Sequence, residues 1–283
     1  MDFETIVSDI ESLGLNLYDF ALYTPQGIRA HRFQPCSNCC NSYSVAKAFI
    51  MTGLGLLCDA GRLSMSDPIG KHLPIPENAD PAWHIATVEH AATHKLGFDE
   101  GFLDIDTEDT TLYPAEDYLS MVFDHPLVHA PGSHFQYTDA AYYLLSRLIA
   151  AVSGEYADVY LSSRLIRPMR FREIAWSKCP LQHPIGATGL YISAQDMVKL
   201  GALYLEDGLW QGKRLLSSDW VQTAIAKEYE FSERASGLIG KGGMYGQMVL
   251  FSKEKHFAAA YHAHEENGGC KRLVEYLSTL PAF

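Results

Sequence analysis

Ser44 and Lys47 stand three residues apart where an apolar run, "NSYSVAKAFIMTGLGLL", begins. On a helix, positions i and i+3 share a face, with Cβ atoms about 5–6 Å apart. The Ser44 hydroxyl is therefore expected near the Lys47 amine. A serine is a weak nucleophile until a base takes its proton. A lysine is a weak base until burial or neighbouring positive charge lowers its pKa. The first turn of a helix supplies both influences. Its dipole disfavours the ammonium, and Ala46, Phe49 and Ile50 imply burial. The Ser44 N–H can also point at a developing oxyanion. The plain alternative is an N-cap serine followed by a solvated lysine. Spacing alone does not choose, because "SKEK" (Ser252 to Lys255) repeats S-x-x-K in a charged stretch where a solvated turn is expected.

Two further constellations bear on the choice. In "PGSHFQYTDAAYYLLSRLI", Tyr137 follows a Pro-Gly loop and precedes a helix capped by Thr138 or Asp139. A tyrosine beside an activated serine could carry a proton to a leaving group. The alternative is a core tyrosine next to a good cap. In "GKGGMYGQ", Lys241 precedes Gly242 and Gly243 on an expected strand. Glycines there would let a ligand approach the backbone, the lysine would add positive charge, and the Met244 N–H would be a second oxyanion donor. The alternative is a glycine-rich hairpin.

Other residues invite chemistry less strongly. His90 and His94 have i, i+4 spacing, but the H-E-x-x-H order and a third ligand are missing. His262 and His264 share a strand face and fit a packing or surface role. Of Tyr142, Tyr143, Tyr191 and Tyr245, the first two suit helix packing, and Tyr245 adjoins the oxyanion residue. "CSNCC" contains C-x-x-C, but no second pair completes a zinc site. Cys36, Cys39, Cys40, Cys58, Cys179 and Cys270 are expected as free thiols, the first three on a loop.

The elements that would position these groups alternate along the chain. Phe3 to Leu13 reads as an amphipathic helix, and "LYDFALYT" with "GIRAHRFQP" as a hairpin across "PQG". Helices fit "TVEHAATH", "AEDYLSMVF", "DAAYYLLSRLIAAVSG" and "EYADVYLSSRLI", then "SAQDMVKLGALYLEDG" and "SSDWVQTAIAKEYE". Strands fit "GLIGKGGMYGQMVLFS" and "HFAAAYHAH", and a closing helix fits "NGGCKRLVEYLSTL". Strands at both ends with helices between them predict an α/β fold. An antiparallel sheet flanked by helices would be formed from both termini, with a helical lobe inserted. The expected bounds are 1–60 and 186–283 for the α/β lobe and 61–185 for the helical lobe, the whole of 1–283 being one catalytic domain.

Composition narrows the partners. The 283 residues are 47% hydrophobic and 20% charged, as in an ordinary globular protein. The net charge of −12, from 34 acidic against 22 basic residues, speaks against nucleic acid and anionic membranes. The first twenty residues lack the pattern of a signal peptide, and no apolar run has the length of a membrane span. These features predict a soluble, cytoplasmic protein.

S-x-x-K at a helix start, Y-x-[ND] before a helix and K-x-G on a late strand together resemble the penicillin-recognising serine hydrolases. The likeness is to the branch of class C beta-lactamases, DD-peptidases and esterases, and it extends over nearly the whole chain. "AGRLSMSDPIGKHLP", "TVEHAATHKLGF" and "GATGLYISAQDMVKLGALYLEDGLWQGKRLLS" are similar to other stretches of that pattern. The resemblance implies a beta-lactamase-like fold and acylation at Ser44, with Lys47 and Tyr137 sharing the proton transfers. Lys241 would bind a substrate carboxylate or tune the tyrosine. The backbone of Ser44 and Met244 would form the oxyanion hole, and Asp139, Gly242, Gly243 and Tyr245 would contact substrate. No metal or organic cofactor is implied. "YHAH" (Tyr261 to His264) is a rival for the third motif, rejected because His264 stands where glycine is needed. Asp139 replaces the asparagine usual in beta-lactamases, and an ionised carboxylate accepts hydrogen bonds but cannot donate them. Gly242 stands where beta-lactamases often have a hydroxyl residue. Both departures turn the expectation toward small esters or amides, with beta-lactams or D-amino-acid peptides as further candidates. The alternative function is a penicillin-binding-type sensor that is acylated with negligible turnover.

Overall fold

The computed structural model describes residues 1–266 and 270–283. In chain order the elements are α1 (Phe3–Ser12), β1 (Leu17–Thr24), β2 (Gly27–Arg32), β3 (Cys40–Asn41), α2 (Ala46–Asp59), α3 (Val88–Ala92), α4 (Tyr118–Asp124) and α5 (Asp139–Ser153). Then come α6 (Ala157–Leu161), β4 (Ile174–Trp176), β5 (Leu190–Ile192), α7 (Ala194–Leu205), β6 (Leu209–Trp210), β7 (Lys213–Arg214) and α8 (Ser218–Ala226). β8 (Ser232–Ala235), β9 (Leu238–Gly242), β10 (Met248–Ser252), β11 (Phe257–Ala263) and α9 (Lys271–Thr279) complete the order. The expected closing helix is α9, and residues 267–269, included in that expectation, lie outside the described residues. Among the described residues no helix is long and apolar enough to cross a membrane.

The chain divides into two compact units. The first comprises residues 1–48, 169–175 and 190–283. Its sheet runs β2-β1-β11-β10-β9-β8. Every neighbouring pair is antiparallel. An early strand thus pairs directly with a late one, Phe20 opposite Tyr261. Phe20, Leu22, Leu250 and Tyr261 pack on one face with Phe3, Ile6 and Ile10 of α1 and Leu273 and Leu277 of α9. α7 covers the other face. A Cβ on Gly201 would lie 3.1 Å from the Leu250 carbonyl oxygen and 3.2 Å from Ala258 Cβ, so the helix sits close on a strand of small residues. With both faces covered, every residue of β10 and β11 is buried. Such strands read as continuous apolar runs rather than alternations.

The second unit comprises residues 49–168 and 176–189. α5 is its central helix. Thr138 caps it, accepting from the Ala140 N–H, and Gly154 closes it in the left-handed region at φ 77°. The buried Tyr142 hydroxyl donates to the Ala92 carbonyl (3.0 Å), and Ser146 donates to the Pro184 carbonyl (2.8 Å). The helix expected across "EYADVYLSSRLI" is present, but its second half, Ser162–Ile166, widens into a π turn.

Several elements differ from expectation. β8 and the pairs within β3-β5-β4 and β6-β7 were not anticipated. Strands of two to four residues carry too little periodicity to show in a sequence. Cys40 lies on β3 opposite Ile192, not on a loop. In "SKEK" only Lys253 and Glu254 are exposed. Ser252 is buried at the end of β10, where its hydroxyl accepts the Lys255 N–H at 3.2 Å.

Candidate active site

In the first unit a 3-10 turn, Tyr43–Val45, leads into α2. The half-buried Ser44 sits in that turn, and Lys47 Nζ donates to Ser44 Oγ at 3.0 Å. Lys47 has no solvent exposure. Val45, Ala46, Ala48 and Phe49 are equally buried, which explains why the amine is dry. The turn follows β3, and between them the Ser42 N–H donates to the Leu190 carbonyl at 2.8 Å. Tyr43 then adopts φ 48°, and its N–H donates to Asn41 Oδ1 at 2.9 Å. A bulky residue in the left-handed region is strained and persists where its surroundings hold it.

The β9–β10 hairpin turn closes on this segment. The Gly243 N–H donates to the Gln247 carbonyl (2.8 Å), and Gln247 Nε2 donates to the Ala263 carbonyl (2.7 Å). A Cβ on Gly243 would stand 2.7 Å from the Ser42 carbonyl oxygen. The room that Gly243 provides is thus taken by the chain itself, not by a ligand as expected from the sequence. Gly242 is less confined, a Cβ there coming nearest to the flexible Met248 side chain at 3.1 Å and standing 3.5 Å from the Gln247 carbonyl oxygen. Met244, next in the turn, is exposed. The Tyr245 ring meets Tyr43 edge-on at 5.1 Å and stacks on His264 at 4.4 Å. Lys241 is 6% exposed and forms an ion pair with Glu230, 9% exposed. The cation expected to face a substrate carboxylate or a tyrosine has a carboxylate of its own chain.

In the second unit Tyr137 is partly exposed, at 40%, on a braced segment. The Gln136 N–H donates to the His94 carbonyl (2.8 Å), and the Thr138 N–H donates to His94 Nδ1 (3.3 Å). The His94 ring lies 4.4 Å from that of Tyr137. On the other side the Thr138 hydroxyl donates to the Phe102 carbonyl at 3.2 Å. Asp139 is buried at the start of α5. Its carboxylate lies with those of Asp104 and Asp106, one oxygen of each within 4.8 Å of the others. The Thr188 hydroxyl donates to Asp106.

The remaining sequence candidates resolve into structural roles. His90 completes a capping box with Thr87, and His94 lies beyond the end of α3 with φ 56°. The two histidines therefore do not share a helical face. Among the described residues they join no metal-competent cluster. His262 is wholly buried, its Nδ1 2.8 Å from Asp19. That carboxylate also accepts the Ala194 N–H at the start of α7 (3.1 Å). Tyr142 and Tyr143 are buried in packing, and Tyr191 is partly exposed. All six cysteines are free thiols. Burial, then the nearby Asp19 charge, pushes Cys40 up to about 12. Burial, then Glu173, pushes Cys39 up to about 11. Both stay protonated at neutral pH and are poor nucleophiles and metal ligands. Sequence reasoning missed Glu230 and the bracing role of His94. His94 carried a weak signal, its place within "TVEHAATHKLGF". Glu230 carried none.

The profile of the Beta-lactamase family matches residues 38–277, and the chain belongs to that family. It is 24% identical over 264 residues to the D-alanyl-D-alanine-carboxypeptidase/endopeptidase AmpH of Escherichia coli (strain K12), covering 84% of this chain and 66% of that protein. It spans about half, or less, of the length of other curated relatives it matches. Among solved structures it is similar to the octameric penicillin-binding protein homologue from Pyrococcus abyssi. The TM-score there is 0.76 at 18% identity, covering 99% of this chain and 77% of that one. It is also similar to EstCE1, a hydrolase with promiscuous acyltransferase activity. That match has a TM-score of 0.71 at 13% identity, covering 95% and 97% of the two chains. These likenesses establish the beta-lactamase-like fold.

Proposed function

We propose that the protein is a serine hydrolase that cleaves small esters or amides through an acyl-enzyme on Ser44. The observation that carries this reading is the 3.0 Å bond from a fully buried Lys47 to Ser44. Burial and the helix start both disfavour the ammonium. Lys47 in its neutral form accepts the Ser44 proton as Oγ attacks the substrate carbonyl. The new C–O bond forms as the carbonyl π pair moves onto oxygen. The N–H groups of Ser44 and Met244 stabilise that oxyanion. The oxyanion pair then re-forms the carbonyl as the bond to the alcohol or amine breaks; Tyr137, by its match to the family's second motif, gives its phenolic proton to that leaving group and regains one from the Lys47 ammonium. Water then cleaves the acyl-serine by the reverse proton path. Residues 1–283 act as one catalytic domain in this reading. Asp139, Gly242 and Tyr245 line the substrate's place, and Gly243 lets the turn close on Ser42. The names of AmpH and EstCE1 support amide or ester chemistry, and beta-lactams and D-amino-acid peptides belong to the range to be tried.

The test is release of p-nitrophenol from p-nitrophenyl butyrate, with intact-mass spectrometry after exposure to a fluorescent penicillin. Wild type, Ser44→Ala and Lys47→Met are compared. Turnover is expected to vanish in Ser44→Ala. In Lys47→Met it should fall by about 10²–10⁴-fold, the usual contribution of a general base. Full activity in Ser44→Ala would overturn the mechanism. A Ser44-dependent adduct with no turnover would replace the enzyme by an acylated sensor.

A further inference from the structure

We propose that Glu230 sets the charge class of the substrate, and that the site is built for substrates without a carboxylate. This rests on the serine-hydrolase reading above. Lys241 is the third-motif cation, and penicillins and peptides with a free C-terminus would offer it a carboxylate. Its ammonium is instead paired with Glu230. Both side chains are less than a tenth exposed, so solvent screens the pair weakly. Separating the two charges would take from each a buried partner of opposite sign, which is costlier than keeping them together. A substrate carboxylate would have to displace Glu230 or share Lys241 with it. Two carboxylates on one ammonium repel each other.

The surroundings hold Glu230 in place. Its backbone lies at φ 64° and that of Glu228 at φ 53°. The Glu230 N–H donates to the Glu228 carbonyl at 2.7 Å. Non-glycine residues stay in this region where packing or charge over-determines them, and the buried ion pair is such a constraint. The neighbouring lining gives an anion no other advantage. A cavity of about 450 Å³ borders Lys241, Gly242 and Met244. Its remaining charged residues, Arg234 and Lys271 against Glu265 and Glu275, balance. The chain as a whole carries a net charge of −12. Glu230 is thus a specificity-determining residue that acts through Lys241.

The test compares 4-nitrophenyl hexanoate with mono-4-nitrophenyl adipate, two six-carbon acyl groups of which only the second ends in a carboxylate. Wild type is expected to favour the hexanoate by at least about tenfold in kcat/KM. Glu230→Gln keeps the shape and removes the charge. It should narrow that ratio by about tenfold, chiefly by lowering KM for the adipate. The double variant with Lys241→Met should restore the discrimination. An unchanged ratio in a folded, active Glu230→Gln would overturn the proposal. So would equal kcat/KM for the two esters in wild type, a result that depends on no variant folding. Absence of Ser44-dependent turnover of either ester in wild type would overturn the hydrolase reading itself, and the substrate assignment with it.

Discussion

Gly243→Ala probes the contact between the hairpin turn and the segment that carries Ser44. The added Cβ would lie 2.7 Å from the Ser42 carbonyl oxygen, 2.8 Å from Gln247 Oε1 and 3.1 Å from Tyr43 Cβ. The first obstacle is backbone and cannot swing aside. Reaching ordinary van der Waals separation requires the turn to retreat by about 0.7 Å. Oxyanion donors work over a window of about 2.7–3.1 Å, so that retreat would take the proposed Met244 donor out of range. Loss of one such donor costs about 10²–10³ in kcat, or about 2.7–4 kcal/mol of transition-state stabilisation. The overpacking itself should cost about 1–3 kcal/mol of stability. The assay is steady-state hydrolysis of p-nitrophenyl butyrate well below the melting temperature, with a circular-dichroism melt of each protein. The expected result is a folded protein with kcat lowered at least about 100-fold and KM little changed. A folded Gly243→Ala protein with kcat within about threefold of wild type would refute the placement of Met244 in the oxyanion hole.

Two further outcomes follow from groups away from the nucleophile. His94→Ala removes the ring against Tyr137 and Tyr142 and leaves the Thr138 N–H without its Nδ1 acceptor. The unmet buried donor should lower stability by about 1–3 kcal/mol in urea titrations, and unchanged stability would show that His94 does not brace the segment. At Asp67, partial burial opposes ionisation, but hydrogen bonds from Lys71, His72 and the Ser64 N–H outweigh it and hold the carboxyl at about 2. A carboxyl depressed in the folded state stabilises above its unfolded pKa and loses that contribution as pH falls through the folded value. Asp67→Asn should therefore lose about 1–2 kcal/mol at pH 7 after solvent screening, with a gap that closes between about pH 4 and pH 2. Urea midpoints that differ equally at pH 7 and pH 2.5 would contradict that assignment.

What the sequence revealed was local. The Ser44–Lys47 pair was legible because three residues on a helix bring side chains together whatever surrounds them. Tyr137 was legible through the capping chemistry of Thr138 beside it, and β10 and β11 through their unbroken apolar runs. What stayed hidden depends on residues distant in the chain or on backbone geometry. Gly243 reads as a site of ligand approach until the Ser42 carbonyl is seen to fill the space. Glu230 lies eleven residues before Lys241, on the far side of β8, in a left-handed conformation that glutamate rarely adopts. His94 joins Tyr137 across more than forty residues. The small sheets pair strands of two to four residues, too short for any periodicity to register.

The pairing of β1 with β11 also fixes the order in which the protein becomes competent during synthesis. The Ser44–Lys47 segment leaves the ribosome early, whereas the turn that rests on Ser42 is made about two hundred residues later. Until then β1 has only β2 beside it, and α1 lacks most of the sheet that it covers. Pairings this distant carry the largest loop-closure cost and form slowly. A nascent chain therefore carries Ser44, the proposed nucleophile, for most of translation without Met244, the proposed second oxyanion donor. Hydrolytic activity should switch on only after the last strands dock, so a chain stalled before β9 would be silent toward ester probes however well its helices had formed.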